Sequence, residues 1–211
     1  EVAREARLWS AKGDARLHAF EASGPSLAGD RLNLESLGGV WDLAETDAAD
    51  WSVRRLDLTS PVGSLVASGS LAADAPGDSS DVQIEGKIDL AALSKQIPHA
   101  MRLRPGLVLD RGEAHIRLVT TGGEPTAAGQ TSAPARQGTI EASISDFAAH
   151  DANRQYTLNN PASLRVVGIL SGPGSRVDDL KFKSAFLNLK GKGGLADGVK
   201  FEGHLDLGAI E

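Results

Sequence analysis

The feature that most constrains this 211-residue chain is a stretch of thirteen residues written twice. Residues 81–93 read DVQIEGKIDLAAL and residues 198–210 read GVKFEGHLDLGAI. Val82/Val199, Glu85/Glu202, Gly86/Gly203, Asp89/Asp206, Leu90/Leu207 and Ala92/Ala209 are identical, and exchanges such as Ile84/Phe201 and Ile88/Leu205 keep apolar character. Each copy has a period of two. Val82, Ile84, Ile88 and Leu90 fall on one face, and Gln83, Glu85, Lys87 and Asp89 on the other. The second copy puts Val199, Phe201, Leu205 and Leu207 against Lys200, Glu202, His204 and Asp206. Such alternation marks a strand with one face out of water and one in it. Duplication of a strand is how building units are written, and catalytic sites are rarely copied this way. Gly86 and Gly203 interrupt the strands and predict a bulge, a bend or the close approach of another backbone.

The same alternation recurs along the chain. It is carried by Leu17, Leu32/Leu34, Leu56/Leu58, Ala114/Ile116/Leu118, Ile140/Ala142/Ile144, Leu164/Val166 and Leu180/Phe182, with Gly, Pro, Asn and Asp between the runs. Strands this frequent predict an all-β fold: an elongated, repetitive antiparallel β-sheet curled into an open groove. The duplication extends upstream, because LDLTSPVGSLVASGSL at 56–71 resembles LKFKSAFLNLKGKGGL at 180–195. Two units follow, at about 52–120 and 138–211, preceded by a degenerate partial one. TGGEPTAAGQTSAPARQG between them reads as a mobile hairpin loop over 121–138. The strand pattern continues on both sides of it, so residues 1–211 are expected to form a single sheet. DLAALSKQIPHAM at 89–101 places Leu90, Leu93, Ile97 and Met101 at helical spacing ahead of the break at Pro98, which predicts one short helix lying across an end of the sheet.

Composition removes several function classes. A net charge of −6 and basic residues spread along the chain argue against a nucleic-acid track. With no cysteine there is neither a disulfide framework nor a Cys-based zinc site. The five histidines, His18, His99, His115, His150 and His204, lie far apart and match no metal-ligand spacing, and no cofactor is implied. SGPGS (171–175) and GKGG (191–194) lack the spacing of a phosphate cradle and read as turns. Asp178/Asp179 and Glu85/Asp89 read as solvated acids, and no nucleophile elbow is present, so the chain is not expected to be an enzyme. Trp9, Trp41 and Trp51 are expected to anchor a core in the first strands, with sugar stacking or a membrane-interface position as the alternatives. No apolar run approaches the ~18 residues of a membrane-spanning helix. The opening at Glu1 reads as that of a processed piece.

The repeated [IF]-E-G-x-[IL]-D-L-x-A-[IL] motif, the helix and proline after its first copy, and the strand opening RLRPGLVLDRGEAHIRL resemble the AsmA-like, TamB-related proteins of the bacterial envelope. NRQYTLNNPASLRVVG and the closing LNLKGKGGLADGVKFEGHLDLGAI share that character, and together these segments cover most of 52–211. The resemblance implies a membrane-anchored protein of the periplasm or envelope whose apolar groove binds or conducts phospholipid between membranes. Membrane attachment would come through parts of the parent chain outside this sequence. Val82, Ile84, Ile88, Leu90, Ile116, Leu118, Val199, Phe201, Leu205 and Leu207 would then line the groove. The alternative is a structural β-repeat of a surface or adhesin-like protein, in which the same faces seal against each other as a dry core.

Overall fold

The structure, a computed structural model, describes residues 9–45, 51–71, 81–121, 137–169, 175–194, 196–206 and 208. It is 72% strand. The strands are β1 (Ser10–Ser23), β2 (Arg31–Glu45), β3 (Trp51–Ser60), β4 (Gly63–Leu71), β5 (Val82–Asp89), β6 (Val108–Thr121), β7 (Gln137–His150), β8 (Gln155–Thr157), β9 (Ala162–Ile169), β10 (Arg176–Lys183), β11 (Leu187–Gly194) and β12 (Gly198–Leu205). All belong to one antiparallel sheet in the order β1-β2-β3-β4-β5-β6-β7-β9-β10-β11-β12, with β8 a short partner of β7. The sheet is curled and does not close, so β1 and β12 are its two edges. The loop expected over 121–138 falls between Thr121 and Gln137, outside the described residues; those two residues pair as the first step of the β6–β7 ladder.

The one α-helix among the described residues, α1 (Leu90–Gln96), is shorter than the sequence spacing predicts. Asp89 caps it by accepting a 2.8 Å bond from the Ala92 amide on its Oδ1. It ends at Gln96, before Pro98, which cannot continue a helix, so Ile97 and Met101 lie in the segment that follows. Against α1 sits a small core of buried Ala91, Leu109 and Ala149, with Met101, Leu103, Leu107, Phe147 and Tyr156 packed around it. Polar clips hold this end in place. Asp30, at the close of the β1–β2 turn, accepts from the Ala100 amide (2.9 Å) and sits 2.6 Å from His99 Nδ1. Burial raises the Asp30 pKa, but the Ala100 and His99 bonds outweigh it and leave the carboxyl below its usual value. Asp151 is held low by the Asn153 amide first and then by Tyr156, and it also pairs with Arg104.

Elsewhere the described residues form a single layer. The chain exposes 14784 Å², against roughly 9,000 Å² for a compact protein of this size. Two expectations are corrected here. Trp9 and Trp51 are 72% and 44% exposed and anchor no core, because among the described residues no second layer covers that end of the sheet. GKGG is not a turn but the end of β11, whose glycines are demanded by close packing: a Cβ on Gly191 would lie 2.8 Å from the Phe201 ring, and one on Gly193 2.4 Å from the Gly198 carbonyl.

Candidate functional site

Register decides which side chains share a face. Following the paired residues from edge to edge gives one row with a member from each of eleven strands: Gly13, Trp41, Leu56, Ala67, Ile84, Leu118, Ile140, Val166, Leu180, Gly191 and Phe201. No polar side chain interrupts it. The next row on the same face holds Ala15, Gly39, Leu58, Leu65, Gly86, Ile116, Ala142, Leu164, Phe182, Leu189 and Gly203. Further rows run to either side, one through Ile88, Ala114 and Ile144 and one, rich in glycine, through Gly69, Val82 and Thr120. At ~4.8 Å per strand the first row is about 48 Å long. Near each end an aromatic lies over the glycine of its neighbouring strand, Trp41 over Gly13 and Phe201 over Gly191.

A strict alternation would lose this face wherever a bulge falls, in β3, in β10 and again in the β6–β7 ladder around Arg111. Between Val53 and Leu56 of β3, and between Val177 and Leu180 of β10, the register shifts by one residue. These bulges hold Arg54–Arg55 and Asp178–Asp179, and each returns the following apolar residues to the same side. Asp178 and Asp179 are thus bulge residues, paired with Arg176 and Lys181 at 2.7 Å each.

The expected groove residues fall into two groups on this face. Ile84, Ile88 and Ile116 line a hollow of about 280 Å³ with Leu37, Leu58, Leu65 and, from α1, Leu93. Val82 and Leu118 lie beside it on β5 and β6. Leu90 opens α1 and packs over Gly112 rather than extending a strand row. Val199, Phe201 and Leu205 are on the edge strand β12, five strand spacings or ~24 Å from β6; Phe201 and Leu205 are 55% and 51% exposed. Leu207 lies outside the described residues. Sequence reasoning missed the residues that join the two groups, Ile140, Val166, Leu164, Leu180 and Phe182. Their own alternation was the available signal; what it lacked was the register linking each strand to the next.

The opposite face is charged, and it carries the larger hollow, of about 820 Å³. On most of its strands this hollow is lined by two polar-face residues flanking one residue of the apolar row, as Lys181 and Lys183 flank Phe182, and from β4 by Ser64 and Val66 alone, which places it on the polar side of the sheet. Glu85–Arg117 (3.3 Å) and Glu141–Arg165 (3.2 Å) are cross-strand pairs within it. Lys87 bonds Glu113 at 2.6 Å, and that bond, followed by one from His115, lowers the Glu113 pKa. The lysines, unlike the arginines, concentrate toward one end of the chain. Five of the chain's eight lysines lie between 181 and 200. Among the described residues no group of three or more His, Asp or Glu is placed to hold a metal ion, and no helix is long and apolar enough to cross a membrane.

Comparison with known proteins adds no relative: no family model, no curated protein and no solved structure matches this chain.

Proposed function

We propose that this chain binds acyl-chain lipid along the apolar face of its open sheet and offers that face as a path for phospholipid, as the resemblance to AsmA-like envelope proteins implies. The supporting observation is the uninterrupted apolar row from Trp41 to Phe201, in which Ile140 and Phe201 stay 37% and 55% exposed. A bilayer's hydrocarbon core is ~30 Å thick, so one acyl tail is about 15 Å long and the row accommodates several lengths of it. Each methylene taken out of water contributes ~0.8 kcal/mol whichever apolar side chain covers it. A face without polar stops therefore holds a tail without fixing its position, which is what movement along a groove requires. On this reading the protein acts without catalysis, in the periplasm or envelope.

The competing reading is a structural β-repeat with this face sealed. Native mass spectrometry of the purified chain, with organic extraction, separates the two when combined with Ile140→Asp and Phe201→Asp. In an open groove both variants fold, at a cost of about 1 kcal/mol, and lose co-purifying phospholipid. In a sealed core each carboxylate would be buried without a partner and the loss would exceed ~4 kcal/mol. A well-folded, lipid-free wild type together with two unfolded variants would overturn the groove.

A further inference from the structure

We propose that the polar face of β10–β12 docks onto an anionic phospholipid bilayer surface through Lys181, Lys183, Lys190, Lys192 and Lys200. This inference does not rest on the groove, which is the other side of the same strands.

All five lysines are exposed and share one face. Lys181 pairs directly with Lys190, and Lys192 with Lys200, across adjacent strands. Like charges directly opposite each other destabilise a sheet, yet a chain of net charge −6 sets two such pairs side by side. Two acids stand beside them, Asp179, which bonds Lys181 at 2.7 Å, and Glu202, the cross-strand partner of Lys190. The excess stays positive.

The molecule contains its own control. β3–β5 repeats the register of β10–β12 pair for pair, and at the five corresponding positions it carries Asp57, Thr59, Val66, Ser68 and Gln83. The scaffold therefore forms without these lysines, and their charge answers to something outside the fold.

Geometry selects the partner. Three strands and five residues of strand length place the five ammonium groups over roughly 10 × 13 Å, a span comparable with the Debye length of ~8–10 Å at physiological salt. Lys181, Lys183 and Lys190 line the β10–β11 end of the 820 Å³ hollow and Lys192 and Lys200 lie beyond it, so the charge spreads as a plate to the edge of the sheet rather than closing on a single phosphate. The plate offers no aromatic ring for a nucleic-acid base to stack on, because Phe182 and Phe201 belong to the opposite, apolar face.

The test is co-sedimentation of the full chain with phosphatidylcholine vesicles, with and without phosphatidylglycerol, at low and high salt. Lys190→Gln/Lys192→Gln/Lys200→Gln is compared with Lys12→Gln/Lys87→Gln/Lys95→Gln, which removes equal charge elsewhere; thermal melts report folding of both. Binding should require phosphatidylglycerol, fall with salt, and drop on the order of 100-fold in the first variant only, at about 5-fold per lysine. Binding that ignores phosphatidylglycerol, or that falls equally in both variants, would overturn the proposal. Tighter binding to polyglutamate or to an oligonucleotide than to the anionic vesicles would overturn the membrane assignment. Lipid retained by the first variant in native mass spectrometry separates failure of the plate from failure of the groove.

Discussion

The units β3–β5 and β10–β12 have the same register and the same apolar rows but differently charged polar faces. Val53 pairs with Gly69 as Val177 does with Gly193, and Gly63 pairs with Ile88 as Leu187 does with Leu205. Both third strands end alike: the Asp89 amide bonds the Val62 carbonyl at 2.9 Å, and the Asp206 amide bonds the Phe186 carbonyl at 2.8 Å. Even the backbone exceptions coincide, since Gly69 and Gly193 have φ of 147° and 151°. On the polar face the likeness stops. The β3 bulge holds Arg54–Arg55 where that of β10 holds Asp178–Asp179, and five lysines stand where the first unit has none. The difference teaches that this scaffold is held by its apolar rows, its bulge and its close-approach glycines. The wet face was left free to diverge.

The sharpest way to break the comparison is at the paired glycines. A Cβ on Gly69 would lie 2.0 Å from the Asp81 carbonyl oxygen, and one on Gly193 2.4 Å from that of Gly198. Gly69→Ala and Gly193→Ala should each cost about 1–3 kcal/mol in denaturant melts. Gly69→Ala should cost more, because β5 is fixed by β6 whereas β12 has a free edge and can yield. Equal losses would mean that the two units are equally constrained.

A smaller effect is expected at the two aspartates. Asp89→Ala removes the cap of α1 and should cost ~1 kcal/mol. Asp206 Oδ1 accepts a 3.0 Å bond from the Gly208 amide, two residues on, and Asp206→Ala should cost less. Thermal melts of the two variants measure that gap.

The smallest change concerns the lysines. Lys190→Glu relieves the repulsion with Lys181 but faces Glu202, so Lys190→Gln is the cleaner variant. It should stabilise the protein by about 0.2–1 kcal/mol at low salt, with the gain fading as salt rises. Val66→Lys, the matching change in the first unit, places its charge between Asp57 and Glu85 and should bring no such penalty. A Lys190→Gln variant less stable than wild type would show that this lysine supports the fold.

Much of the fold was legible in the chain because its signals are local. The alternation of DVQIEGKIDL predicts β5, and its copy predicts β12, from the period of a strand alone. The helix was found but overextended, since Leu90, Leu93, Ile97 and Met101 keep helical spacing while Pro98 ends the hydrogen-bonding pattern. Half of the candidate site was legible for the same reason: Ile84, Ile88 and Ile116 declare an apolar face wherever they are placed. The bulges at Arg54–Arg55 and Asp178–Asp179 were not, because one extra residue looks like the end of an alternation rather than its continuation.

By itself, then, the amino-acid sequence determined that the chain forms strands, which side of each strand is apolar, and that one three-strand unit occurs twice. These follow from side-chain chemistry and a period of two. The tertiary structure alone decided that β5 and β12 lie at different depths in one sheet, the first between β4 and β6 and the second at an edge. It alone joined Trp41 to Phe201 in a single row and gathered Lys181, Lys183, Lys190, Lys192 and Lys200 on one face. The physical reason is register: hydrogen bonds between strands far apart in sequence set which side chains become neighbours, and no single strand carries that information.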